Sequence, residues 1–162
     1  MNTSLTRHVA LVLVVAAALV CSSCSFSNLF IVVNSSRAIL EVSYRVKPPN
    51  LPGAPTRLSE RPPQMLPVSQ LGKQVPWESL PSSRYKIDAD NRIIVLTLNP
   101  DEALFLDQCR PAHEASTGDC EADAFSVAEL RLLGANGEIR LTGEQAHKAF
   151  VQSKNTYTLT YY

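Results

Sequence analysis

The sequence predicts a mostly β chain: an antiparallel β-sandwich (Ig-like) or a compact barrel, with one short helix near the C-terminus. Three observations predict it. Apolar and polar residues alternate with period two on both sides of short polar turns. Turn clusters rich in Asn, Asp, Ser and Gly separate the runs. The last residues, Thr156 to Tyr161, alternate Thr with Tyr157, Leu159 and Tyr161, which reads as an amphipathic strand pinned into a sheet. About seven short strands result, the pattern of a sandwich or small barrel.

The elements follow in order. Asn28 to Val33 is a run of apolar and β-branched residues, and Asn34-Ser35-Ser36-Arg37 is a turn cluster. Ala38 to Val46 then places Leu40, Val42, Tyr44 and Val46 on one face and Glu41, Ser43 and Arg45 on the other. Together these predict a first hairpin. A second hairpin is predicted over Tyr85 to Leu98, around Asp88-Ala89-Asp90-Asn91. That cluster lacks the central glycine and closing glutamate of a calcium loop, so it reads as a turn. A third is predicted over Ser126 to Thr142, where Asn136-Gly137 supplies residues that tolerate positive φ. Thr142-Gly143-Glu144-Gln145 resembles a capping box. Ala146, Ala149 and Phe150 then share a face, predicting a helix of two or three turns.

Residues 47–83 break this grammar. Nine of the 11 prolines lie here, removing backbone donors and favouring extended, unpaired chain. The segment holds Trp77, the single tryptophan. Trp77 has two readings: an exposed anchor for a partner, or a side chain folded back to plug the edge of the sandwich. Pro52-Gly-Ala-Pro55 also spells the spacing of a proline-rich ligand, a pattern common by chance.

Composition narrows the function classes. The chain has 162 residues and a formal net charge of +0, which suits one domain and excludes a nucleic-acid binder working by bulk positive charge. Three histidines and two methionines exclude a His- or Met-rich metal carrier. The zero is a sum of opposites. From Arg37 to Arg92 nine basic residues face five acidic; from Asp101 to Asp123 seven acidic face one basic.

The N-terminus states an address. Arg7 precedes an unbroken apolar run of 12 residues, Val9 to Val20, followed by Cys21-Ser22-Ser23-Cys24-Ser25. A positive start, a short apolar core and small residues at its exit match a secretory signal peptide. Such a core is too short to span a bilayer, which needs roughly 20 residues. The segment resembles a bacterial lipoprotein signal, with Ser22 and Ser23 as the small residues before Cys24; Cys21 stands where that family usually has an aliphatic residue. The resemblance covers the first 25 residues. It implies removal of residues 1–23, lipidation (palmitate included) of Cys24, and a mature domain over 24–162 tethered to a membrane. Ser25 after the cysteine implies outer-membrane sorting, facing the periplasm. The alternative is ordinary cleavage near Ser23 or Ser25 and a soluble secreted protein.

Removing Cys21 and lipidating Cys24 leaves Cys109 and Cys120, a pair that predicts a disulfide in an exported chain. The enclosed loop adds about 3 kcal/mol by constraining the unfolded state. A metal site of Cys109, His113 and Cys120 is the competing reading, but the spacing matches no usual zinc motif. A Cys109/His113 nucleophile pair has nothing nearby to activate the thiolate. There is no phosphate loop and no Gly-x-Ser-x-Gly elbow. His147, in the predicted helix, is placed at the surface by default. The expectation is therefore a binding or accessory module with a protein partner in the cell envelope, no catalysis and no cofactor. Trp77, Asp119 and Glu121 are the candidate contact residues. The runner-up is a small secreted inhibitor or ligand-binding protein using the acidic 109–120 loop against a basic target.

Overall fold

The computed structural model describes residues 27–52, 54, 62–109 and 120–162. Eleven strands and one α-helix lie among them: β1 (Asn28–Asn34), β2 (Leu40–Val46), β3 (Gln64–Pro67), β4 (Glu78–Ser79), β5 (Tyr85–Asp88), β6 (Ile93–Leu98), β7 (Glu102–Cys109), β8 (Val127–Gly134), β9 (Gly137–Thr142), α1 (Glu144–Lys148), β10 (Val151–Ser153) and β11 (Thr156–Tyr161). They form two sheets, ordered β10-β11-β1-β7-β3-β4 and β5-β6-β2-β8-β9. The architecture is a β-sandwich and not a closed barrel. Every pairing is antiparallel except β1 with β11, which is parallel. The lipidation candidate Cys24 and residues His113 and Asp119 lie outside the described residues.

Two of the three expected hairpins form. β5 and β6 pair around a turn in which the Asn91 backbone N–H donates to Asp88 Oδ1 at 3.1 Å. β8 and β9 pair with Gly134 opposite Gly137. Their two-residue loop is Ala135-Asn136, and the positive φ of 113° falls on Gly137 alone. Gly134 is required for a second reason: a Cβ there would stand 2.6 Å from the Tyr161 ring.

The first expected hairpin does not form. β1 joins the first sheet and β2 the second, so the Ser35–Ile39 turn crosses the sandwich. The buried Asn34 makes that crossing possible. Its Nδ2 donates to the carbonyls of Ala38 and Leu98, and its Oδ1 accepts from the Ser36 N–H and hydroxyl. One side chain thus satisfies the polar backbone that a chain changing sheets leaves unpaired.

The proline-rich segment is also less free than its composition predicts. β3 and β4 both lie within it, and β3 pairs with β7. The prolines sit where their missing N–H costs little: Pro67 ends its strand at the sheet's edge region, and Pro76 and Pro81 flank β4. The capping box does not form either. The residue before α1 is Gly143 at φ 54°, with no side-chain cap, and α1 has five residues rather than two or three turns.

The core between the sheets centres on Phe30, with Phe125, Phe150 and Tyr157 around it at centroid distances of 4.5, 5.3 and 4.6 Å. Leu40, Val42, Leu96, Leu98, Leu104, Leu130 and Leu132 complete it. Ala146 of α1 is fully buried, and Phe150 just after it is 6% exposed, so the helix caps one end of this core.

Candidate functional site

Two regions gather the residues that the sequence singled out. The first is the end of the sandwich where β1 begins and β7 ends. Asn28 stands opposite Cys109, and Cys109 and Cys120 stand at disulfide distance with Cα atoms 6.3 Å apart. Both cysteines are buried. The Asn28 amide donates to Cys120 Sγ at 3.3 Å, and the Cys120 N–H donates to the Tyr157 hydroxyl at 3.2 Å. The pair therefore ties the segment leading into β8 to the first sheet.

Beside it lies a polar brace that the sequence did not announce. Asp107, next to a register shift between β1 and β7, accepts from the Ser126 N–H at 2.6 Å and from its neighbour Gln108 N–H at 2.8 Å. Burial pushes its carboxyl above the usual range, against those hydrogen bonds and the charge of Lys47. The Tyr44 phenol is raised first by burial and then by the Asp107 charge. Lys47 Nζ donates to the carbonyls of Ala122 and Asp123, both at 3.2 Å. With both oxygens taken by backbone donors, Asp107 joins the two sheets at this end. The available signal was a carboxylate following the apolar run Ala103–Leu106, which periodicity alone assigns to the solvent face.

The acidic residues between Asp101 and Asp123 are accordingly divided, with Glu102 at the opposite end of β7 from the cysteines. Glu102 pairs with Arg84, whose guanidinium also donates to the Thr97 carbonyl at 2.7 Å. Partial burial pushes Glu102 up, but hydrogen bonds from Arg84 and Asn99 outweigh it and hold its carboxyl below the usual value. Asp107 is committed to the brace. Glu121 and Asp123 are exposed next to Cys120 and present their charge to solvent.

The second region is the outer face of the first sheet. Ile31, Val33 and Ala103 point away from the central core yet are 3%, 4% and 0% exposed. The cover is the chain between β3 and β4: Val68, Leu71 and Trp77 pack on them together with Leu29. Trp77 meets Phe105 edge-on at 5.5 Å. The tryptophan is half-buried. It folds back, as one of its two readings expects, but onto the sheet's outer face rather than its edge. Trp77 and Glu121 thus belong to different surfaces.

His147 departs from its expected surface position. Its ring lies 5.6 Å from Phe30 and 5.9 Å from both Phe125 and Tyr157. Glu144, Gln145 and Lys148 take the exposed side of the helix, and His147 packs toward the aromatic cluster beside the buried Ala146. No group of three or more His, Cys, Asp or Glu able to hold a metal occurs among the described residues. No helix among them is long and apolar enough to cross a membrane. Set against protein-family models, curated proteins and solved structures, the chain gives no match.

Proposed function

We propose that this protein is a membrane-tethered envelope lipoprotein, held at the outer membrane and facing the periplasm, that works by binding a protein partner and not by catalysis. The observation that carries the reading is the N-terminal run: Arg7, the apolar core Val9–Val20, and Ser22-Ser23 before Cys24. Several acyl chains on one cysteine would anchor a domain stably, where a single chain does not. A disulfide pair at Cys109 and Cys120 is consistent with export to an oxidising compartment. Labelled palmitate tests the tether. The wild type should take up label and the Cys24→Ala variant should not; a wild type without label ends the lipoprotein reading.

Partner binding is tested with tethered protein as bait in envelope extracts. Trp77 is half-buried, so its exposed part is a candidate contact. Trp77→Ala should reduce capture of a partner; an unchanged set of captured proteins removes Trp77 from the contact.

A second reading is favoured by the charge segregation between Asp101 and Asp123: a secreted inhibitor or ligand-binding protein with a basic target. Of those acids, Asp119, Glu121 and their loop neighbours are the candidates for contact, since Glu102 and Asp107 are engaged internally. It requires association that weakens with salt and on neutralising Asp119 and Glu121. Salt-independent binding would count against it.

A further inference from the structure

We infer that the tether holds the disulfide end of the sandwich against the lipid headgroups and turns the opposite end outward. This rests on lipidation of Cys24. The argument is one of reach. Ser25, Phe26 and Ser27 separate Cys24 from the first strand residue, Asn28. Four Cα steps span at most about 14 Å even when fully extended. A β-strand rises about 3.3 Å per residue, so the eight residues of β7 alone are about 26 Å long. The leash is thus shorter than the body it holds, and the sandwich has no room to turn over.

The strand directions say which end is held. Asn28 opens β1 opposite Cys109, at the end of β7. The same end carries the β5–β6 turn, because the Val46 N–H donates to the Arg92 carbonyl at 2.9 Å. It also carries Lys47, whose N–H donates to the Ser126 carbonyl at 2.8 Å, and Glu121 and Asp123 beyond the disulfide. β1 is a central strand of its sheet, with β11 and β7 on either side. The tether therefore enters near the middle of the base and not at a corner. The base bears both signs of charge, including Lys47, Asp90 and Asp123, so headgroup apposition follows from the leash rather than from attraction.

The far end holds the Asn34–Leu40 crossing, the β8–β9 turn and the end of β11. These meet in a groove of about 390 Å³ lined by Ser35, Arg37, Ala38, Ala135, Asn136 and Tyr162. It is tightly built: the Asn136 N–H donates to the Tyr161 hydroxyl at 3.1 Å, and its side-chain amide to the Tyr162 carbonyl at 2.6 Å. Around it Ile39 and Tyr162 are 61% and 76% exposed. With the disulfide end held at the headgroups, this groove and the exposed Ile39, Tyr162 and Arg37 lie on the side turned away from the bilayer.

Depth-dependent quenching tests this on the full lipidated chain in vesicles containing headgroup-nitroxide lipid. A fluorophore is placed at Asp90→Cys in the base turn, or at Ala135→Cys in the opposite turn. The base label should be quenched several-fold more than the tip label. Inserting ten Gly/Ser residues after Ser25 should remove most of that difference. Intact-mass analysis of the vesicle-bound protein reads the lipid on Cys24. Lipidated protein with equal quenching at both labels, or stronger quenching at the tip, overturns the orientation and leaves the lipoprotein reading standing. Absence of the lipid overturns both.

Discussion

Strands β1 and β2 follow one another and are seven residues each, yet they are buried in different ways. β2 alternates. Leu40, Val42, Tyr44 and Val46 face the core, while Glu41, Ser43 and Arg45 face solvent, where Glu41 pairs with Arg131 and Arg45 with Glu129. β1 does not alternate. Phe30 and Val32 face the core, and Ile31 and Val33 face the other way but are covered by Trp77, Val68 and Leu71. An unbroken apolar run in this mainly antiparallel sheet thus marks a strand with covers on both faces, as it does for strands of parallel sheets. The proline-rich segment is the second cover. Its composition suits that task, because a stretch poor in backbone donors can lie across a sheet face without completing a ladder.

The comparison can be broken first at β1's inner face. Phe30→Ala should cost about 3–5 kcal/mol in denaturant unfolding, and Phe30→Leu substantially less. A loss below about 1 kcal/mol for the alanine variant would mean that the aromatic cluster is not the centre of the core.

The outer cover comes next. Trp77→Ala should cost about 2 kcal/mol, because the side chain is half-buried and its removal uncovers Ile31 and Val33. Hydrogen exchange should quicken most in β3 and β4, which hold the cover to the sheet. Unchanged stability and exchange would make the cover an ornament on an independently stable sandwich.

Two carboxylates of β7 sharpen the same contrast through pH. Glu102 is held below its usual value when folded, so its contribution is present above the unfolded value of 4.5 and is lost as pH falls through the folded one. Asp107 is raised when folded, so its sign is opposite: its contribution is greatest below 3.8 and is lost as pH rises through the folded value. Glu102→Gln should therefore cost about 1 kcal/mol near neutrality and flatten the acid decline of stability. Asp107→Asn should steepen that decline, since it removes the opposing contribution. Stability–pH curves with the same slopes as the parent would refute both assignments.

The smallest effect belongs to β2's solvent face. Arg45 is 3.7 Å from Glu129 and its side chain is 52% exposed. Arg45→Ala should change stability by no more than about 0.5 kcal/mol, less still in high salt. A larger loss would show that the outer face of the second sheet is also covered in the native protein.

Much of the fold was legible because it is local. The β5–β6 and β8–β9 hairpins announce themselves through alternation around Asp88–Asn91 and Gly134–Gly137. The closing strand does so through Tyr157, Leu159 and Tyr161. The Cys109–Cys120 pairing followed from counting. The candidate surfaces were only partly legible. Trp77 stood out by its uniqueness, but which face it covers depends on β1 and β7, far away in sequence. Asp107, Lys47 and Tyr44 carry no pattern that joins them; only the register shift between β1 and β7 and the entry of the chain into β8 bring them together. The Thr142 capping box failed because Gly143 leaves β9 at positive φ, which turns Thr142 away from the helix.

By itself, then, the sequence determined the strands β1, β2, β5, β6, β8, β9 and β11 and the turns that close locally, and it stated an export address as an expectation; β3, β4, β7 and β10 it did not announce, and the prolines of 47–83 do not prevent pairing there. Those properties depend on neighbours within a few positions, where period and turn chemistry act. Tertiary structure alone decided that Asn34–Ile39 crosses between sheets rather than closing a hairpin. It also decided that β1 lies parallel to β11, and that Trp77 lies over Ile31 and Val33. The physical reason is that Asn, Ser and Gly satisfy a tight turn and a sheet crossing with the same hydrogen bonds. Which one forms is settled by the apolar surface that each arrangement buries.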